Sequence, residues 1–195
     1  MQRQLSLLIG CSLLLASCGG NGEQAKCTRQ YWDGIVGLCM PAGWVVIEHE
    51  QLRERGIPED VIVAFKREKA VAGQFPTVTV TQEALKQPMD SSAYSDASVR
   101  SVAVLPGYKQ IDTRAVRVDD ASVDLHIFTA QPSADEPERR FYQVSAVSGP
   151  SGYSVTALTP LAPPSDVESE IERMMGSITF KAPEGGASSE AGNEG

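Results

Sequence analysis

The side chains best placed to do chemistry in this chain of 195 residues are Asp124 and His126. They alternate with Val123, Leu125 and Ile127, so an extended strand puts both on one face. An aspartate that orients a histidine is the base half of a nucleophilic triad. The other half is missing, because the sequence contains no Gly-x-Ser-x-Gly turn. Pairing across Asp119-Asp120 would set Thr113 beside His126 and Ala115 beside Asp124, with Arg117 diagonal to Asp124. Gln143, Ser145, Ser154 and Thr156 have the alternation to join that face. Arg117, Asp124, His126 and Gln143 are therefore the candidate ligand-binding residues, and no residue is assigned a catalytic role. A solvated antiparallel face is the first reading of this polarity. The floor of a groove for a peptide or polar ligand is the second. His49, between Glu48 and Glu50, reads as a solvated strand end.

The N-terminus carries a different chemistry. Arg3 is the only charged side chain before an apolar run from Leu5 to Leu15. That run is too short for a membrane span, which needs about 20 residues, and fits the core of a cleaved signal peptide. Leu15-Ala16-Ser17-Cys18 resembles the lipobox of bacterial lipoproteins. The resemblance implies a diacylglyceryl group on the Cys18 sulfur and cleavage before it. It also implies a chain anchored by lipid and facing the periplasm. Gly19 after the cysteine, with no aspartate there, points to the outer membrane by analogy with enterobacterial sorting.

Of four cysteines, Cys11 then leaves with the signal and Cys18 is acylated. Cys27 and Cys39 remain in a compartment where disulfides persist, and they are expected to pair. Their spacing lacks the CxxC or CxxH pattern of a metal site. If the disulfide lies within a hairpin, a three-residue loop of Trp32-Asp33-Gly34 would set Cys27 opposite Cys39.

The formal charge of -8 becomes -9 once residues 1–17 are lost, since Arg3 leaves with no acid. Such a chain is a poor counterion for nucleic acid, and no cofactor motif appears. Asp119-Asp120 and Asp135-Glu136-Pro137-Glu138 lack EF-hand spacing and read as solvated acidic loops.

The elements that must position these residues follow in order. A tether spans 18–26 and a single domain 27–181. Strands are expected at Leu38–Ile47, broken by Pro41-Ala42-Gly43, then at Val61–Phe65 and Thr77–Thr81. A helix over Ser91–Leu105, capped by Ser91 or Ser92, precedes four strands: Ile111–Val118, Ala121–Ala130, Arg140–Val147 and Tyr153–Thr159. Short connections imply an antiparallel meander. After Pro163-Pro164, Ser165 and Glu168 suggest a capping box. Val167, Ile171, Met174 and Met175 then form one apolar helical stripe. A last strand is expected at Ser177–Phe180 and a disordered tail over 182–195.

These elements, with Met40-Pro41-Ala42-Gly43-Trp44, Phe75–Val80, Gly152–Ala157 and Ser177–Phe180, resemble the PsbP/DcrB-like superfamily over about residues 35–181. The resemblance implies an α+β fold, a single antiparallel sheet flanked by helices. It also implies a non-enzymatic module, since members share a scaffold and not a site. The expected function is thus a lipid-anchored module that binds another envelope component. A carrier of a small ligand or metal on the polar sheet face is the alternative, and a hydrolase the third reading.

Overall fold

The computed structural model describes residues 29–133 and 135–183. The signal segment, Cys18, Cys27 and the tail beyond 183 lie outside the described residues, and so does the expected Cys27–Cys39 pairing.

The expected single sheet is instead two. Seven antiparallel strands form the main sheet in the order β3-β4-β5-β9-β8-β7-β6. They are β3 (Trp44–Glu48), β4 (Val61–Arg67), β5 (Thr77–Ala84), β6 (Lys109–Val118), β7 (Ala121–Ala130), β8 (Arg139–Ser148) and β9 (Ser151–Thr159). A separate two-stranded sheet pairs β1 (Arg29–Trp32) with β2 (Gly37–Met40). The helices are α1 (His49–Glu54), α2 (Ser91–Val102) and α3 (Ser165–Met175).

The β6–β7 pair has the expected register, and β8 and β9 place their polar residues on the same face. Thr113 faces His126, Ala115 faces Asp124, Gln143 faces Thr156 and Ser145 faces Ser154. One face is apolar: Phe65, Val78, Leu125, Ile127, Tyr142 and Val155 are each no more than 3% exposed. Two pieces cover it. The first is α3, whose Val167, Ile171, Met174 and Met175 stripe is fully buried. The second is the β1–β2 hairpin, which adds Val36, Leu38 and Met40 to the same core.

Polar contacts tie these covers down. Glu170 on α3 accepts from Arg67 Nε and Trp44 Nε1, both at 2.9 Å, linking the helix to β4 and β3. Asp119, at φ 52° in the tight β6–β7 turn, accepts from Thr179 Oγ1 at 2.5 Å and Phe180 N at 3.0 Å. Asp120 pairs with Lys181 at 2.6 Å. The acidic turn is thus spent on the chain's own C-terminal segment.

Four local expectations change. The hairpin loop is residues 33–36, not the three-residue turn, and Cys39 sits opposite Gln30. Asp33 Oδ1 accepts from Ile35 N and Val36 N, both at 2.8 Å, which widens the turn and sends Val36 into the core. Cys39 is itself buried and is not a free thiol. The cap of α2 is Asp90, whose Oδ1 accepts from Ala93 N at 2.8 Å. The capping box on α3 does not form. Pro164 is the N-cap, and Glu168 reaches the sheet to accept from Tyr142 Oη at 3.0 Å and Arg140 Nη1 at 3.1 Å. The last strand shrinks to one bridge between Gly37 and Thr179.

Because Ile171 is fully enclosed on the α3 seam, Ile171→Ala should cost about 2–5 kcal/mol. A urea titration would show this as a lower midpoint at an unchanged slope.

Candidate functional site

Over β7, β8 and β9 the polar face of the sheet is not open to solvent, which corrects the first reading there, while Thr113, Ala115 and Arg117 on β6 stay exposed. Helix α2 lies across β7, β8 and β9 on that side. Its serines bond to the sheet. Ser91 Oγ accepts from Val147 N at 2.9 Å, and Ser95 Oγ accepts from Asp124 N at 3.3 Å. Ser145 Oγ donates to Ser98 Oγ at 2.8 Å and stands 2.8 Å from Ser154 Oγ. Tyr94 lies flat over Gly152: a Cβ there would meet Tyr94 Cζ at 2.4 Å, so only glycine permits the seating. The Tyr94 hydroxyl donates to Glu83 Oε1 at 2.8 Å. Burial is the main cause that raises the Tyr94 pKa to about 12, so the phenol keeps its proton.

The four expected binding residues separate. His126 is 1% exposed. Its Nε2 is 2.9 Å from Tyr108 Oη, its Nδ1 3.5 Å from Thr113 Oγ1, and its ring stacks on Phe128 at 5.0 Å. Phe128 continues the stack onto Phe141 at 4.8 Å. Burial lowers the His126 pKa, and the Asp124 carboxylate opposes that shift only in part. This is a histidine held neutral in an aromatic cluster, not one facing a substrate. Arg117 is exposed and donates to the Asp120 carbonyl at 3.4 Å, so it does not converge with His126. Asp124 sits under α2 through its backbone N–H.

Gln143 alone reaches a cavity. Beside α2, over β5, β8 and β9, lies a space of about 250 Å³ lined by residues that include Thr81, Glu83, Tyr94, Ser98, Gln143 and Thr156. Gln143 Nε2 has one long bond, to Thr156 Oγ1 at 3.4 Å, and its Oε1 has no partner. The sequence reading missed Thr81, Glu83 and Tyr94. The period-two alternation from Thr77 to Thr81 was the available signal, since it places Thr79 and Thr81 on the Gln143 face.

Neither a protein-family model nor a curated protein matches the sequence. Solved structures do. Cyanobacterial PsbP (CyanoP) from Synechocystis is similar at 17% identity, covering 86% of this chain and 99% of that one, with a TM-score of 0.54. The fold is that of PsbP. LpqN of Mycobacterium tuberculosis, involved in cell envelope biogenesis, is similar at 12% identity, 74% and 82% coverage and a TM-score of 0.50. A Pseudomonas aeruginosa protein of unknown function is similar at 16% identity, 74% and 88% coverage and a TM-score of 0.43. At 17% identity the likeness to cyanobacterial PsbP defines a scaffold and not a site. Among the described residues no helix of this PsbP-like domain is long and apolar enough to cross a membrane. No cluster of three His, Cys, Asp or Glu residues able to hold a metal occurs among them either.

Two outcomes follow. The His126 pKa is lowered in the folded state, so above its ordinary value of 6.5 both folded and unfolded chains hold it neutral. As pH falls below 6.5 the unfolded chain takes up a proton first, and stability drops. His126→Gln should flatten this dependence in chemical denaturation at pH 7 and pH 5. Gly152→Ala should push α2 off the sheet, read as faster amide exchange in α2 while the α3 seam stays protected.

Proposed function

We propose that this chain is a lipid-anchored envelope lipoprotein whose PsbP-like domain binds another envelope component without catalysing a reaction. The lipobox at Leu15–Cys18 supports the anchor, with the acyl chains as the membrane partner and the outer membrane as its place. Two or more acyl chains hold a protein on a bilayer far longer than one. The scaffold shared with envelope-associated LpqN supports the setting. One observation carries the non-catalytic reading: His126, the candidate base beside Asp124, is 1% exposed and within hydrogen-bond distance of Tyr108. A base that substrate cannot reach takes no proton from it.

A carrier of a small polar ligand is the second reading. The cavity at Gln143 favours it.

Cys18→Ser tests the anchor. Metabolic labelling with an alkyne fatty acid should tag the parent and not the variant, and the variant should move to the soluble periplasmic fraction. An unlabelled parent would remove the proposal. The same preparation, denatured without reductant, should show no titratable thiol if Cys27 and Cys39 are paired.

A further inference from the structure

The end of the main sheet where β3 begins and β4 finishes carries three turns without a charged residue. Pro41-Ala42-Gly43 leads into β3, and the Gly43 carbonyl accepts from Glu68 N at 2.8 Å. Ala70-Val71-Ala72-Gly73 is the tip of the β4–β5 hairpin, closed by Val71 and Gln74, which exchange N–H to carbonyl bonds of 2.7 and 2.9 Å. Leu161-Ala162-Pro163 follows β9, the strand that pairs with β5 through Thr77 and Leu158. Phe75 precedes β5 by two residues and Leu161 follows β9 by two, so both stand beyond the same end of that strand pair. They are 43% and 46% exposed. At the hairpin tip Ala72 has φ 49° and Gly73 φ 75°. A two-residue turn with both φ positive favours Asn-Gly, so an exposed alanine there forgoes the polar residue that the backbone and water would both prefer. Apolar groups gathered in the open at one end of a domain mark contact with another body.

The point where the chain enters the domain names that body. Arg29 pairs with Met40, directly before the Pro41 turn, so the link to Cys18 leaves on the side of the three turns. Residues 18–28 number 11, and at roughly 3.5 Å each they reach at most about 38 Å. A strand of 10 residues such as β7 is itself about 33 Å long. The near end of the sheet can therefore rest on the bilayer with chain to spare, whereas the far end could do so only with the link almost fully extended. We infer that this end is a membrane-facing surface, which lays Phe75, Leu161 and the Ala70–Gly73 tip into the interface of the bilayer that holds the Cys18 acyl chains. The inference rests on the lipobox reading above and goes beyond it, because a tether sets distance and not orientation. Lys66, whose Nζ lies 3.9 Å from the centre of the Phe75 ring, and Lys69 flank the tip. Their stems can follow apolar groups inward while the ammonium stays at headgroup level. Charges at this end are mixed, with Glu68, Asp135, Glu136 and Glu138 against Lys66, Lys69 and Lys109, so apolar burial and not anionic lipid drives the contact. The Asp119-Asp120 and Gly149-Pro150 turns then point away from the bilayer.

The full chain, purified from membranes, would be reconstituted into phosphatidylcholine vesicles with and without brominated acyl chains. Three variants each add one tryptophan to Trp32 and Trp44: Phe75→Trp and Leu161→Trp in the patch, and Glu59→Trp in the exposed turn at the other end of β4. The emission added at 75 and at 161 should lose about half its intensity in brominated vesicles, and the emission added at 59 should lose none, because the quencher lies only within the bilayer. Salt at about 1 M, where the Debye length is about 3 Å, should leave the quenching unchanged. Adding Phe75→Asp to Leu161→Trp should restore the emission while the protein still floats with the vesicles. Flotation of each sample on a density gradient separates the two readings. A chain that fails to float removes the anchor and the inference with it. A chain that floats with 75 and 161 unquenched, or with 59 quenched equally, overturns the inference and leaves the anchor standing. A dimer of Cys18→Ser in lipid-free sedimentation that Phe75→Asp dissociates would give the patch to a second copy of this chain, and would overturn it too.

Discussion

Everything in this domain depends on covering the apolar face of a seven-stranded sheet. That face cannot stay in water, because each large side chain on it is worth roughly 1.5–3 kcal/mol of burial. The chain supplies two covers from opposite ends of its sequence, the β1–β2 hairpin and α3. They meet each other as well as the sheet, through Cys39 N donating to Ser177 Oγ at 2.8 Å and the Gly37–Thr179 bridge. The Glu170 carboxylate then holds α3 to the outer strands through Arg67 and Trp44. The N-terminal hairpin, the start of the sheet and the last helix therefore close one core together.

The other face is solved differently. Its hydroxyls and amides are bonded to a helix rather than to water. α2 carries serine where an ordinary surface helix would carry leucine, and those serines reach backbone N–H groups and hydroxyls of β7, β8 and β9. A hydrogen bond to a buried partner contributes only about 1 kcal/mol net, but an unpaired buried group costs more, so satisfaction matters more than number. At its lower end the same face turns aromatic, and Phe128, Phe141 and Tyr108 seal His126. Between the helix and β5 the cover is incomplete, and that gap is the cavity.

The PsbP-like scaffold leaves function to such gaps. At 17% identity to cyanobacterial PsbP, a common backbone does not carry a common site. What is particular to this chain is the set of side chains on the uncovered part of the polar face. Gln143 on β8 and Thr81 and Glu83 on β5 are brought there by two strands that are not consecutive in sequence.

The amino-acid sequence alone determined the order of the meander, the faces of its strands and the β6–β7 register, because period-two alternation on either side of the tight Asp119-Asp120 turn pairs Thr113 with His126 and Ala115 with Asp124. It likewise determined α3, whose apolar stripe is a strong local signal. The hairpin register was not legible, because Asp33 closes a wider turn through its own side chain and the core then claims Val36. The burial of the polar face was not legible either. Serine reads as surface by hydropathy, and only the packed structure shows that α2 folds back over strands formed later in the chain. That single act of packing buried His126, left Arg117 outside and opened the space at Gln143. Which polar residues meet was decided by long-range packing, which no local period encodes.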